Sequence, residues 1–226
     1  MMKLINIAID GPAGAGKSTV AKKVASALSY LYIDTGAMYR AITWKALQEK
    51  ADLNNGEQLG QLLESTKIRL VPDEKGTEVF VDDEEVSAAI RQNEVTRNVS
   101  IVAAHEKVRE QMVEAQRELA SRKGAVLDGR DIGTAVLPDA EVKVFLTASV
   151  EERAKRRYEE EIQKGMDSKL DAVIEEIRRR DQLDSTRLIS PLTKAEDAEE
   201  IDTTQLSIEK VVQQICRLVE ERVRAT

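Results

Sequence analysis

At 226 residues, 42% hydrophobic and 33% charged, the chain can bury one sizeable core and has the composition of an ordinary globular protein. A formal net charge of −7 argues against a nucleic-acid-binding surface, although anion sites can survive inside an acidic protein. The single cysteine, Cys216, excludes an internal disulfide or a cysteine metal cluster, and no apolar run approaches the roughly 20 residues a membrane span needs. With no apolar signal-like stretch at the start, a cytoplasmic location is expected, without membrane or nucleic-acid partners.

The apolar run Leu4-Ile5-Asn6-Ile7-Ala8-Ile9 predicts a buried parallel strand over 3–9. It leads into Gly11-Pro12-Ala13-Gly14-Ala15-Gly16-Lys17-Ser18, then a helix from Lys17 with Val20, Val24 and Leu28 on one face. Strand, glycine loop and helix is the setting in which GxxxxGK[ST] cradles phosphate. The glycines let successive N–H groups point into one concavity, and the helix adds its N-terminal partial positive charge. Lys17 is placed to reach the β- and γ-phosphates, and the Ser18 hydroxyl to take a Mg²⁺ position.

A second short strand, Leu31-Tyr32-Ile33, runs into Asp34-Thr35-Gly36-Ala37. The next helix stacks Tyr39, Ile42, Thr43, Ala46 and Leu47, with Met38 and Trp44 packing nearby. From Lys67 the period changes to two. Ile68 and Leu70 on one run and Val79 and Val81 on another flank Pro72-Asp73-Glu74-Lys75-Gly76, which predicts a hairpin, with Glu84-Glu85-Val86 as a third short strand. An antiparallel patch in a βαβ chain reads as an insertion, at about 67–92. The acidic cluster Asp82-Asp83-Glu84-Glu85 reads as a solvated turn, since no ligand spacing supports a metal site.

Helical periodicity returns through 93–121, with Val108, Met112, Ala115 and Leu119 on one stripe. Ala125-Val126-Leu127-Asp128 and Val142-Lys143-Val144-Phe145-Leu146 are further strands. Ser149-x-x-Glu152 is a capping box that opens a helix, and a last helix carries Ile208, Val211, Val212, Ile215, Leu218 and Val219. Repeated strand–helix alternation predicts an α/β fold with a central parallel sheet flanked by helices. His105 reads as a surface or helix-end residue, and Cys216 as core.

A phosphate loop alone does not separate ATPases, GTPases and kinases. A kinase joining two anionic reactants needs further arginines. In the helix beginning near Leu170, residues Val173, Ile177, Arg180, Asp184 and Arg187 step by four, three, four and three along one stripe that starts apolar and becomes ionic. Such a stripe suits a cleft wall, with a solvated face as the alternative. Arg153, Arg156 and Arg157 share one face of the helix opened by Ser149, and suit either a lid over ATP phosphates or, again, a solvated face. Asp34 and Asp128, at strand ends, are candidates for water-mediated Mg²⁺ contacts, or for capping and orienting loops. The N-K-x-D guanine-reading motif of a GTPase is missing.

Taken together, IDGPAGAGKST at 9–19, DTGAMYR at 34–40, the hairpin, DGRDIGT at 128–134, SVEERAKRR at 149–157 and RDQLDSTR at 180–187 resemble the bacterial cytidylate (CMP) kinase family from end to end. Several relatives carry Ser where this chain has Thr35, a change that keeps the hydroxyl. The resemblance implies a P-loop kinase fold: a single domain over 1–226, with the hairpin as a nucleoside-monophosphate-binding insertion and a helical lid at about 150–166. It also implies transfer of a phosphoryl group from ATP to CMP or dCMP, in pyrimidine nucleotide metabolism, by a monomer using Mg²⁺. ATP would lie on Gly11, Pro12, Ala13, Gly14, Ala15, Gly16, Lys17, Ser18 and Thr19, clamped by Arg153, Arg156 and Arg157. Arg40, Arg130 and Arg187 would hold the acceptor phosphate, with Thr35 beside them; Arg180 and Asp184 would meet the ribose; Ser100, Arg109 and Asp131 would read cytosine. Lys17, Arg130 and Arg187 would be catalytic, and Ser18, Asp34 and Asp128 would face the metal.

Overall fold

A computed structural model describes residues 4–73, 76–163 and 165–224. In chain order its elements are β1 (Asn6–Asp10), α1 (Lys17–Leu28), β2 (Leu31–Asp34), α2 (Thr35–Gln48), α3 (Gly56–Glu64), β3 (Ile68–Asp73), β4 (Gly76–Val81) and β5 (Glu84–Glu85). There follow α4 (Asn93–Val102), α5 (Glu106–Ala120), β6 (Ala125–Gly129), β7 (Val142–Thr147), α6 (Val150–Gln163), α7 (Leu170–Thr186), β8 (Glu199–Asp202) and α8 (Ile208–Arg224). The chain divides into two compact units, Met1–Tyr32 with Lys123–Thr226, and Ile33–Arg122.

The larger sheet has the order β2-β6-β1-β7-β8, and all of it but the last two residues of β2 belongs to the first unit; β1 runs parallel to β6 and β7, and β7 parallel to β8. All five residues of β1 and all five of β6 are buried, as expected of strands covered on both faces. Ile5, Ile7 and Ile9 join Val20 and Val24 of α1, Val144 and Leu146 of β7, and Val211, Ile215 and Val219 of α8 in one apolar cluster. The strand expected over 3–9 is realised over Asn6–Asp10, starting three residues later and ending one later; Lys3 lies outside the described residues, and Leu4 is exposed. β8 was not foreseen. Its sequence EEID buries only Ile201, so an edge strand held by its neighbour left no alternation to read. Cys216, expected in the core, is only half-buried on α8.

β1 and β7 approach so closely at their C-terminal ends that Gly11 has no substitute. A Cβ there would lie 2.0 Å from the Leu146 carbonyl oxygen, a backbone atom, and φ is +146°. This is where the chain leaves the sheet for the glycine loop.

The second unit carries the sheet β3-β4-β5, with Ile68 opposite Val81 and Leu70 opposite Val79, as the alternation predicts. Its turn residues Glu74 and Lys75 lie outside the described residues. The sheet does not stand alone: Val79, Val81, Val86 and Ile90 pack with Ala37, Ala41 and Trp44 of α2. Asp82 accepts a hydrogen bond from the Lys67 amide and pairs with Lys45, so the acidic cluster sits in a turn tied to its neighbours.

The single helix expected over 93–121 is two, α4 and α5, broken around Ala103–His105. His105 occupies the N-cap position of α5 without a side-chain capping bond, and its Nε2 donates to the Leu53 carbonyl at 2.8 Å. On α5 the buried stripe is Val108, Met112, Gln116 and Ala120, not Ala115 and Leu119. The apolar count had favoured Leu119 over the polar Gln116, but the i+4 spacing from Val108 runs through Gln116.

Gly11→Ala should cost about 3 kcal/mol or more in the first unit, since overpacking against fixed backbone adds to positive-φ strain. Denaturant unfolding monitored against wild type checks this.

Candidate active site

The loop between β1 and α1 ends on Gly16, left-handed at φ 86°, which precedes α1 without any side-chain cap or acidic residue in the first turn. The Val20 amide bonds the Gly16 carbonyl, so the amides of Lys17, Ser18 and Thr19 lie ahead of the first intrahelical bond. Three loop carbonyls are held by side chains. Lys17 Nζ donates to Pro12 O at 2.7 Å, and Arg153 Nη1 to Ala13 O at 3.0 Å. The Thr203 hydroxyl shares its proton between Ala15 O at 3.3 Å and Thr147 O at 3.1 Å. With its carbonyls so engaged, the loop can turn its amides to an anion.

Lys17 is buried. Burial, and next the Arg130 charge, push its pKa well below the ordinary lysine value, while Asp128, Asp10 and Asp184 pull the other way. An arriving polyphosphate would add strongly to that upward pull. Ser18 Oγ donates to Asp128 Oδ2 at 2.8 Å, and the Tyr32 hydroxyl donates to Asp128 Oδ1 at 2.8 Å.

The arginines foreseen on α6 divide. Arg153 is buried: Nε donates to Ala148 O at 3.0 Å, while Nη1 and Nη2 grip both carboxylate oxygens of Asp181 at 3.1 and 2.6 Å. Arg156 donates to Glu152 and twice to Thr203, and Arg157 pairs with Glu161. Ser149 Oγ caps the Glu152 amide as expected, but the reciprocal arm is replaced: the Ser149 amide donates to Thr204, and Glu152 takes Arg156.

On α7 the expected stripe holds as far as Asp184; Arg187 follows the helix end in extended backbone. Val173, Ile177 and Asp184 are buried and Arg180 is half-buried. Asp184 Oδ2 takes Arg130 Nε at 2.8 Å; Asp131 Oδ1 takes Arg187 Nη2 at 3.2 Å, and Arg187 Nε donates to Ser190 O at 2.6 Å. Burial opposes the Arg130 charge, but Asp184, Asp128 and Asp181 outweigh it and hold its pKa above the ordinary value. Thus Arg130, Asp131, Asp184 and Arg187, drawn from two distant motifs, form one cluster in the first unit.

A residue that sequence reasoning passed over anchors this cluster. Asp10 closes β1, and its two oxygens accept the Ile132 and Gly133 amides, each at 2.7 Å, in the turn that follows Asp131. Its pKa is raised to about 6, chiefly by burial; the two amides lower it, Asp131 raises it and Lys17 lowers it. A charge ending an apolar strand was the available signal.

In the second unit, Asp34 caps α2 through the Ala37 amide at 2.7 Å, and its carboxylate meets Arg40 Nη2 at 3.4 Å and Arg91 at 3.8 Å. Arg91 was not foreseen either. Thr35, Ser100 and Arg109 are buried; Arg109 Nη1 donates to Ala103 O at 3.2 Å and lies over the Tyr39 ring, 5.6 Å from its centre.

Comparison with known proteins meets this geometry. The family model described as cytidylate kinase matches residues 7–221. The chain belongs to the cytidylate kinase family. It is 59% identical to the cytidylate kinase of Bacillus subtilis over 224 residues, covering 99% of this chain and 100% of that protein. It is 61% identical to the cytidylate kinase of Anoxybacillus flavithermus, covering 99% of each. A crystal structure of an uncharacterized protein from Eubacterium ventriosum covers 97% of this chain and 99% of its own at TM-score 0.55 and 14% identity, a likeness of fold.

For a kinase of this family the donor set at the loop fits Mg²⁺. The Ser18 hydroxyl and an Asp128 carboxylate oxygen stand side by side as hard oxygen donors, and Mg²⁺ takes few protein ligands beside water and substrate phosphates. Asp34 is occupied differently, by a helix amide and two guanidiniums. No helix among the described residues is long and apolar enough to cross a membrane.

Asp10 gives a pH signature. With its folded pKa above the unfolded carboxylate value, the native state binds the proton more tightly, so its contribution falls as pH rises from about 4 through about 6. The stability difference between wild type and Asp10→Asn should therefore shift in favour of the variant across that window and level off above it, as measured by urea unfolding at a series of pH values.

Proposed function

We propose that the protein transfers the γ-phosphoryl group of ATP to CMP or dCMP, giving ADP and CDP or dCDP. The match to the cytidylate kinase family over residues 7–221 carries this reading, and the loop and arginine cluster of the first unit support it. ATP lies on residues 11–19, with the loop amides turned to its phosphates. Lys17 leaves Pro12 O for the β- and γ-phosphates, and Arg156 and Arg157 serve the ATP phosphates from α6. Ser18 and Asp128 are the residues that would hold Mg²⁺, which would supply positive charge against the transferring phosphates.

Arg130 and Arg187 hold the acceptor phosphate, and so does Arg40; Thr35 lies at the same substrate. Each of these arginines is oriented beforehand by a carboxylate: Asp184, Asp131 and Asp34. A phosphate oxygen of CMP attacks the γ-phosphorus in line, the bond to the β,γ-bridging oxygen breaks, and ADP leaves with that electron pair. The acceptor phosphate is largely ionised at pH 7, its second pKa being about 6, so no strong general base is needed. Lys17, Arg130 and Arg187 stabilise the charge spread over the transferring group. Arg180 and Asp184 serve the ribose. Cytosine offers an N4 donor and N3/O2 acceptors, which suits the Asp131 carboxylate together with Arg109 and Ser100. Uracil would set O4 against a carboxylate, and sites built for a donor reject such an analogue strongly.

Coupled-assay turnover across acceptors tests the reading: CMP and dCMP well above UMP, with AMP and GMP near background, and a preference for AMP would overturn it. Lys17→Ala should lower kcat by roughly 10²–10³-fold. Asp131→Asn should shrink the CMP-over-UMP ratio while leaving the KM for ATP nearly unchanged; equal losses with both acceptors would remove Asp131 from base reading.

A further inference from the structure

Arg153 and Asp181 stand where the phosphate loop and the ionic face of α7 come into contact, and their bonding is unlike that of the other arginines on α6. The Arg153 side chain is 5% exposed, and its donors are directed to protein acceptors on three segments: Ala148 O at the start of its own helix, Ala13 O in the loop, and both oxygens of Asp181 on α7. The loop also rests on it. A Cβ on Gly14 would come within 3.0 Å of Arg153 Cβ and 3.1 Å of its carbonyl oxygen, and Gly14 has φ +77°. Asp181 lies one turn before Asp184, which takes Arg130, and next to Arg180. The α6–α7 pair that carries both partners is itself packed through Ala154, Val173 and Ile177.

We propose that Arg153 and Asp181 are a positioning pair that ties the placement of the phosphate loop to that of the acceptor cluster on α7, so that occupation of one favours occupation of the other. The inference rests on the functional reading above, with ATP on the loop and CMP at the Arg130–Asp184 cluster. A loop seated for polyphosphate fixes Ala13 O. That oxygen fixes the Arg153 fork, and the fork fixes Asp181 and, three residues on, Asp184. A bidentate guanidinium–carboxylate contact transmits direction as well as charge, because both groups are planar and two parallel bonds set their relative orientation. Lysine in place of Arg153 keeps the charge and loses the fork. Asparagine in place of Asp181 keeps the shape and loses the charge.

Calorimetric titration of CMP, with and without a saturating Mg²⁺ complex of an imido-linked ATP analogue, reads the coupling directly. In wild type the analogue should tighten CMP by about five- to tenfold, within the usual range of coupling between sites. In Arg153→Lys and in Asp181→Asn the factor should fall below about twofold, and the double variant should lose no more than either single one. Asp181→Glu, which keeps a carboxylate, should recover part of the factor and stays informative should a harsher variant not fold. Val173→Ala loosens the same helix pair without touching the strut and should keep the wild-type factor despite a lower Tm. Wild type binding both ligands with no coupling, undiminished coupling in the single variants, or equal loss in Val173→Ala would overturn the positioning role. Failure of wild type to bind the analogue or CMP at all would instead overturn the functional reading beneath it.

Discussion

Backbone carbonyls in the phosphate loop set the main physical constraint. A loop that offers its amides to an anion must dispose of the carbonyl oxygens of the same peptide units, and buried carbonyls without partners are costly. Here Pro12, Ala13 and Ala15 are met by Lys17, Arg153 and Thr203. Those donors come from α1, from α6 and from the segment after β8, so the loop's shape is fixed by sequence separated by up to 188 residues. Arg156 extends the same support, since both of its terminal nitrogens reach Thr203.

The arginines beside α7 follow a related rule. Guanidiniums gathered in one place repel one another, and Arg130, Arg153 and Arg187 each have a carboxylate in attendance. Buried ion pairs are weak sources of net stability but effective at fixing geometry, and breaking one partner leaves a costly unpaired charge. Asp10 performs the corresponding task for backbone. It draws the turn carrying Arg130 and Asp131 to the end of β1, the strand that also launches the glycine loop, so one strand terminus positions both segments.

In the second unit, a single residue, Asp34, closes a strand, caps a helix and receives two arginines. The helix it caps supplies Ala37, Ala41 and Trp44 to the apolar face of the three-stranded sheet. The inserted sheet is therefore packed on the element that presents Arg40, and Lys45 adds an ionic tie to its Asp82 turn. Arg91, which follows the sheet, comes to Asp34 by that route.

Local rules were enough to read much of this from the amino-acid sequence. Strand, glycine loop and helix from Leu4 to Leu28, the hairpin alternation about Pro72, and the four-three stripe from Val173 to Asp184 depend on side-chain period and backbone freedom within a few residues. Family membership was legible for the same reason, since the motifs are contiguous. What lay beyond reach were partnerships made at long range. The edge strand β8 has one buried side chain and exists through its neighbour; the His105 ring at the start of α5 is bonded to Leu53, far back in the chain; and Gln116 replaces an apolar residue on a buried stripe. Sequence spacing determined that Arg153, Arg156 and Arg157 share a helix face, and chemistry determined that such a face suits anions. Only the tertiary structure decided that Arg153 is drawn inward to Ala13 and Asp181, because a hydrogen-bond acceptor 140 residues away leaves no trace in local pattern.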